Sequence, residues 1–250
     1  MIAKDIFSQW GLRYEKIDMT NTSIVKAKIQ SAIDSQPKDS KKPVIVWMEL
    51  PSNPLTKIAD LEAISSFCRS YAPHQTLLVV DSTWCSPYLM SPLKQYDIDI
   101  VFHSITKYIC GHSDVLGGIA TVSNKFATHH PTCHQSLRIS HQICGGVCGP
   151  WESWMAMRGL RTLPVRMRQH CQSALTLANR LEGHPCVERV YYPGLQSHPQ
   201  HNVAIKQMKS NLFGGMMSIL VKAQTPSGDG QQEALQVIQT QSLLSHRLLR

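Results

Sequence analysis

The 250-residue sequence predicts an α/β fold built on a mainly parallel sheet. Three observations carry this. Short, almost wholly apolar runs such as Val44–Met48 and Leu77–Val80 have the composition of strands buried on both faces. Amphipathic helical stretches alternate with these runs, the pattern of strand–helix–strand crossovers. Hydrophobic residues make up 42% of the chain and charged residues 17%, which fills a sizeable core and carries too little charge for disorder.

Taken in order, the first 35 or so residues predict a helix end, a strand near Tyr14–Ile17 and a helix from about Ser23 to Ile33. A polar loop, Pro37–Lys42, leads to the Val44–Met48 strand, whose end delivers Glu49 and Asn53. Asp60 can cap the next helix, with Leu61, Ile64, Phe67 and Cys68 on one face. Leu77–Val80 and Asp97–Phe102 are the next strands, and Gly111 marks a turn before a strand over Gly117–Val122. A helical stretch starts at Pro150–Met157 and continues through Leu163–Leu181 with apolar spacing near 3.6. Strands are expected at Val187–Tyr191 and Gly215–Val221, a flexible loop at Pro226–Gly230 and a short helix at Gln231–Gln239. A boundary near residue 160 divides the chain into a larger unit, 1–160, and a smaller one, 161–250.

Composition excludes several classes. The net charge is +8, but the basic residues are scattered and form no aromatic-interleaved stripe, so no nucleic-acid partner is expected. No apolar run approaches the roughly 18 residues of a membrane span, and Met1–Phe7 lacks the apolar core of a signal peptide. Eight cysteines in 250 residues are not a small disulfide scaffold, so the reducing cytoplasm is the expected location. His129, His130, Cys133, His134, His141, Cys144 and Cys148 cluster in sequence. They lack the paired spacing of a structural zinc site and are expected to form a polar loop with buried cysteines and no metal. Trp151 and Trp154 share a helical face, as core packing or a subunit contact would require.

The chemistry concentrates in Asp99–Asp114. Lys107 follows a short apolar run, with Ser104 and Thr106 three and one positions before it. Two hydroxyls can hold an anion, and a lysine amine can attack an aldehyde. A cofactor bearing both a phosphate and an aldehyde is pyridoxal 5'-phosphate (PLP), which enzymes hold as a Schiff base and use as an electron sink. The sink works best with a protonated ring nitrogen, so a carboxylate is needed beside it. Asp81 ends the Leu77–Val80 run, placing a carboxylate at the strand edge where α/β sheets collect ligands.

The segments Glu49-Leu-Pro-Ser-Asn53-Pro54, Val80-Asp81-Ser-Thr83-Trp-Cys-Ser-Pro87, His103–Asp114, Arg158–Met167 and Tyr192–Pro199 occur in this order. Together they resemble the Cys/Met-metabolism PLP-dependent enzymes, the trans-sulfuration family of cystathionine γ-lyases, γ-synthases and β-lyases. The resemblance implies the aspartate aminotransferase-like fold (fold type I) for the larger unit, with part of a smaller α+β C-terminal unit after it, and a carbon–sulfur lyase acting on a sulfur amino acid such as cystathionine. A γ-synthase making cystathionine from an activated homoserine is the alternative, and so is a truncated, non-catalytic paralogue that assembles with full-length subunits. It implies that Lys107 anchors PLP and moves protons on the substrate, that Asp81 pairs with the pyridine nitrogen, and that Ser104 and Thr106 bind the phosphate. Thr83 would lie against the ring and Asn53 would reach its phenolic oxygen. Family members are homo-oligomers, dimers or tetramers, with active sites between subunits. They extend beyond this chain at both ends, where further phosphate donors and the arginine for the substrate carboxylate are expected. Each missing charge-assisted donor is worth roughly 1.5–3 kcal/mol, so this chain by itself is expected to bind PLP weakly.

Overall fold

The computed structural model describes residues 7–37, 42–222 and 236–240. Strands β1 (Val44–Glu49), β2 (Thr76–Asp81), β3 (Ile100–Ser104) and β4 (Gly118–Val122) form one sheet in the order β1-β2-β3-β4. The first three run parallel, and β4 returns antiparallel to β3. Strands β5 (Val187–Tyr191), β6 (Met217–Val221) and β7 (Gln236–Thr240) form a second, antiparallel sheet. The α-helices longer than four residues are α1 (Thr22–Asp34), α2 (Leu61–Tyr71), α3 (Asn124–His129), α4 (Pro131–Ile143), α5 (Pro150–Glu182) and α6 (His201–Gln207).

Burial explains why each strand has its sequence. β2 lies between two neighbours and is buried from Thr76 to Val80, so it carries an unbroken apolar run. β1 lies at the edge and alternates instead. Val46 and Met48 enter the core, whereas Ile45 and Trp47 stay 51% and 54% exposed. Trp47 stacks on Phe102 of β3, with ring centroids 5.1 Å apart.

The helices are specified by their caps and stripes. Asn21 accepts from Ile24 N at 3.2 Å to start α1, which buries Val25, Ile29 and Ile33. Asp60 accepts from Ala63 N at 2.9 Å to start α2, as its sequence predicts. α5 is a single 33-residue helix, with Gly159, Leu163, Met167, Cys171, Ala174 and Ala178 buried along one stripe. It passes residue 160 without a break and tolerates Pro164 in its interior. One apolar cluster joins side chains of α1, the parallel strands, the second half of α5, β5 and β6.

Several expectations fail. Residues 12–17 form no strand: Tyr14 and its neighbours are exposed, and only Ile17 packs on the core. β3 starts later than expected because Asp97 takes a left-handed turn (φ 51) and the Asp99 carboxylate accepts from Leu78 N at 2.7 Å. Residues 236–240 are a strand paired with β6, not a helix; the rest of that expected helix and the 226–230 loop lie outside the described residues. The histidine- and cysteine-rich segment is helical rather than a loop, because Ser123 caps α3 and Pro131 opens α4. Its Cys144 is exposed, and Cys133 and Cys148 are only half-buried. Trp151 and Trp154 stack at 5.3 Å but stay 66% and 54% exposed, outside the core.

Candidate active site

The parallel register sets the site. Glu49, Asp81 and Phe102 are level on β1, β2 and β3. Glu49 and Asp81 therefore leave the same sheet face from adjacent strand ends, roughly 5 Å apart. Burial raises the Glu49 carboxyl above its ordinary range, the Asp81 carboxylate adds to this, and a bond from the Asn53 backbone opposes it.

Past the end of β2 the chain turns on Asp81. Thr83 N and Thr83 Oγ1 both donate to Asp81 Oδ1, at 3.0 and 2.6 Å. Ser104 N at the end of β3 then donates to Thr83 Oγ1 at 2.8 Å. The threonine hydroxyl thus bridges the two strand ends and orients the carboxylate. His103 is buried beside this network, and its Nδ1 finds no partner among the described residues. Burial pushes that imidazole below its usual range, against the pull of Asp81 and of the Ser82 backbone.

Ile105–Ile109 form a π-type turn directly after β3, closed by Cys110 N donating to Ile105 O at 2.9 Å. Lys107 departs from helical geometry within it (φ −86, ψ −116) and its side chain is exposed. Ser104 is half-exposed at the entry to the turn. Thr106 is differently engaged. Its Oγ1 accepts from Gly117 N at 3.0 Å and donates to Gly117 O at 3.3 Å, tying the turn to the start of β4.

Asn53 is exposed on the loop after β1. The second sheet holds that loop: Thr56 Oγ1 donates to Tyr191 O at 3.1 Å, and the Ser218 hydroxyl donates to Pro54 O. Buried Gln207 braces its far end, accepting from Leu61 N at 2.7 Å and donating to Ala59 O at 3.0 Å.

The lysine turn rests on α5. Arg166 Nη1 donates to Tyr108 O at 2.7 Å, and Nη2 donates to Ile109 O at 3.1 Å and to Gly159 O at 2.7 Å. Its Nε donates to Thr162 Oγ1 at 2.9 Å. A Cβ on Gly159 would lie 2.5 Å from Cys110 O and 2.6 Å from Ile109 O, so only glycine lets the helix approach the turn this closely. Gly111 has φ +76, and a Cβ there would collide with the Arg166 guanidinium. His112 Nδ1 meets Cys110 O at 2.6 Å and tightens the same turn.

Of the six residues singled out in the sequence, Asp81, Thr83 and Ser104 fall on one line of hydrogen bonds, with Lys107 and Thr106 in the turn that follows. Asn53 lies on the loop whose backbone meets Glu49, the neighbour of Asp81. Sequence reasoning assigned no role to Glu49, Gly159 or Arg166. Glu49 ends an apolar strand as Asp81 does, which is a readable signal. Nothing local marks Arg166 or Gly159 as partners of a turn so far away in the chain.

Residues 1–247 match the family described as Cys/Met metabolism PLP-dependent enzyme. The chain belongs to this family. Relatives within it include a cystathionine beta-lyase of Coxiella burnetii, 40% identical over 85% of this chain and 49% of the relative. A probable cystathionine gamma-synthase of Herpetosiphon aurantiacus is 41% identical over 87% of this chain and 61% of its own length. A cystathionine gamma-lyase of Dictyostelium discoideum is 44% identical over 71% of this chain and 43% of its own. Among solved structures, metB from Corynebacterium glutamicum superposes with a TM-score of 0.75 at 37% identity, over 88% of this chain and 51% of that one. The chain thus spans about half the length of these relatives. The α/β fold and mainly parallel sheet that the resemblance implied are those of the family.

Proposed function

We propose that this chain carries the cofactor-anchoring part of a PLP-dependent carbon–sulfur lyase of trans-sulfuration, resembling cystathionine γ-lyase. The observation that carries the reading is the hydrogen-bonded line Asp81–Thr83–Ser104 leading into the turn that presents Lys107. These groups suit PLP: a carboxylate oriented at the sheet edge, a half-exposed hydroxyl and an exposed primary amine. When bound, the cofactor would supply an electron sink for cleavage next to the substrate amine.

In this reading the Lys107 amine would anchor the cofactor and take up a proton from the substrate Cα. Asp81 would pair with the pyridine nitrogen and favour its protonated form. Ser104 would donate to the phosphate, and Thr106 would do so if its hydroxyl turned from Gly117 O. Thr83 would support the ring from the strand-end bridge, and Asn53 would donate to the phenolic oxygen. The larger unit, 1–160, carries all six residues, and the smaller, 161–250, holds the Asn53 loop in place.

The substrate is a sulfur amino acid, with cystathionine as the leading candidate. A γ-lyase adds water across the reaction to give cysteine, 2-oxobutyrate and ammonia. γ-Synthase chemistry is the second reading, favoured by the gamma-synthase relative from Herpetosiphon. In this reading the protein is cytoplasmic and, as the family resemblance implies, a homo-oligomer.

The test is product analysis with cystathionine and PLP. Release of 2-oxobutyrate, abolished in Lys107→Ala, supports the γ-lyase. Cystathionine formation from cysteine and an activated homoserine identifies the synthase. No lysine-dependent turnover of either kind, even with a full-length family member present, rejects the enzymatic reading.

A further inference from the structure

The lysine turn has an unusual support. Its carbonyls at Tyr108 and Ile109 point to one guanidinium rather than into a regular helix ladder. That guanidinium makes no ion pair among the described residues; its bonds go to three carbonyls and to the Thr162 hydroxyl. Arg166 is also half-buried, and burial lowers its pKa, so its placement costs solvation that these bonds offset. Two glycines are shaped around the contact, Gly111 under the guanidinium and Gly159 against the turn's backbone. A planar fork of five donors can hold three carbonyls and a hydroxyl at once; an ammonium on the same stem cannot match that geometry.

We propose that Arg166 is the positioning residue for Lys107: it locks the turn onto α5 and fixes the direction in which the lysine amine is presented. This inference rests on the reading of Lys107 as the cofactor's anchor. The Lys107 carbonyl takes part directly, since Gly111 N donates to it at 2.8 Å and the turn closes beneath Arg166. With the lock released, the turn can relax by rotation at Tyr108 and Ile109, and the amine loses its fixed approach to an aldehyde.

Two readouts test this on the full chain. One is amide hydrogen exchange at Cys110 and Gly111, whose N–H groups close the turn. The other is the rate at which PLP is trapped on Lys107, the amine and aldehyde condensing with loss of water and borohydride delivering hydride to the new C=N carbon. Arg166→Lys keeps the charge and removes the fork. It should speed exchange at both amides and slow trapping by on the order of ten- to a hundredfold, as small misplacements of reacting groups do. Met167→Ala opens the core at the next residue of α5 without touching the guanidinium, and it should leave trapping unchanged. If Arg166→Lys does not fold, Thr162→Val removes the Nε acceptor together with its own bond to Gly159 O, and should show both effects in weaker form. Unchanged exchange, or faster exchange with wild-type trapping, overturns the proposal, as does equal slowing in Met167→Ala. A wild-type chain that traps no PLP on Lys107 overturns the anchor reading and this inference with it, whereas trapping that is insensitive to Arg166 and Thr162 overturns this inference alone.

Discussion

Asp81 draws its position from three neighbours: Glu49 beside it in register, Thr83 bonded to it, and the end of β3 across the Thr83 hydroxyl. Asp81→Asn keeps the shape and removes the charge that would face a ring nitrogen. We expect cofactor-dependent turnover to fall about a hundredfold, or roughly 2.7 kcal/mol, with the fold intact by circular dichroism. Glu49 has a different consequence. Its carboxyl titrates higher in the folded chain than in the unfolded one, so the folded state holds the proton longer. The stability this gives is present at acid pH and is lost as pH rises through the raised value. Glu49→Gln should therefore raise the urea midpoint near pH 7 and lose that advantage below the ordinary carboxylate range. That Asp81 and Ser104 come together at one sheet edge was legible, because each closes an apolar run that forms a strand. The occupied hydroxyl of Thr106 was not, since it depends on where Gly117 falls after the turn.

At the level of elements, α5 serves two purposes. Its second half fills the core, and its middle carries Gly159, Thr162 and Arg166 against the lysine turn. Gly159→Ala would set a methyl group against the carbonyls of Ile109 and Cys110. Overpacking of this kind costs on the order of 1–3 kcal/mol. We expect a matching drop in chemical stability together with slower PLP trapping, whereas Leu163→Ala, pointing into the core, should lose stability alone. Most elements were readable from their caps and apolar period, α2 from Asp60 and α5 from its stripe. The misread ones depended on partners. Gln236–Thr240 forms a strand because β6 offers an edge, and tertiary pairing outweighs local pattern there. Tyr14–Ile17 form no strand because, among the described residues, none pairs with them to take up their backbone hydrogen bonds.

For the whole molecule, buried and half-buried histidines contribute to the response to acid. His103, His170 and His198 all titrate below their usual range because burial opposes their charged form, and His198 is lowered to about 4. The unfolded chain binds protons at these sites first, so stability is full above the ordinary histidine range and falls as pH drops from 6.5 towards about 4. His198 alone accounts for up to about 3 kcal/mol of that loss. His198→Asn, which can still accept from Gln200 N, should flatten the slope of urea midpoint against pH over this interval. The family and the architecture were legible from ordered motifs along the chain. The coupling between its two sheets was not, because Thr56, Gln207 and Ser218 make bonds that no local pattern announces. The central claim is that one site, built at the ends of β2 and β3, takes PLP on Lys107. Its most direct test is to incubate the chain with PLP, reduce with borohydride, digest and map the pyridoxyl label. The account predicts label on Lys107, sharply diminished in Asp81→Asn; no label, or label spread over other lysines and indifferent to Asp81, would contradict it.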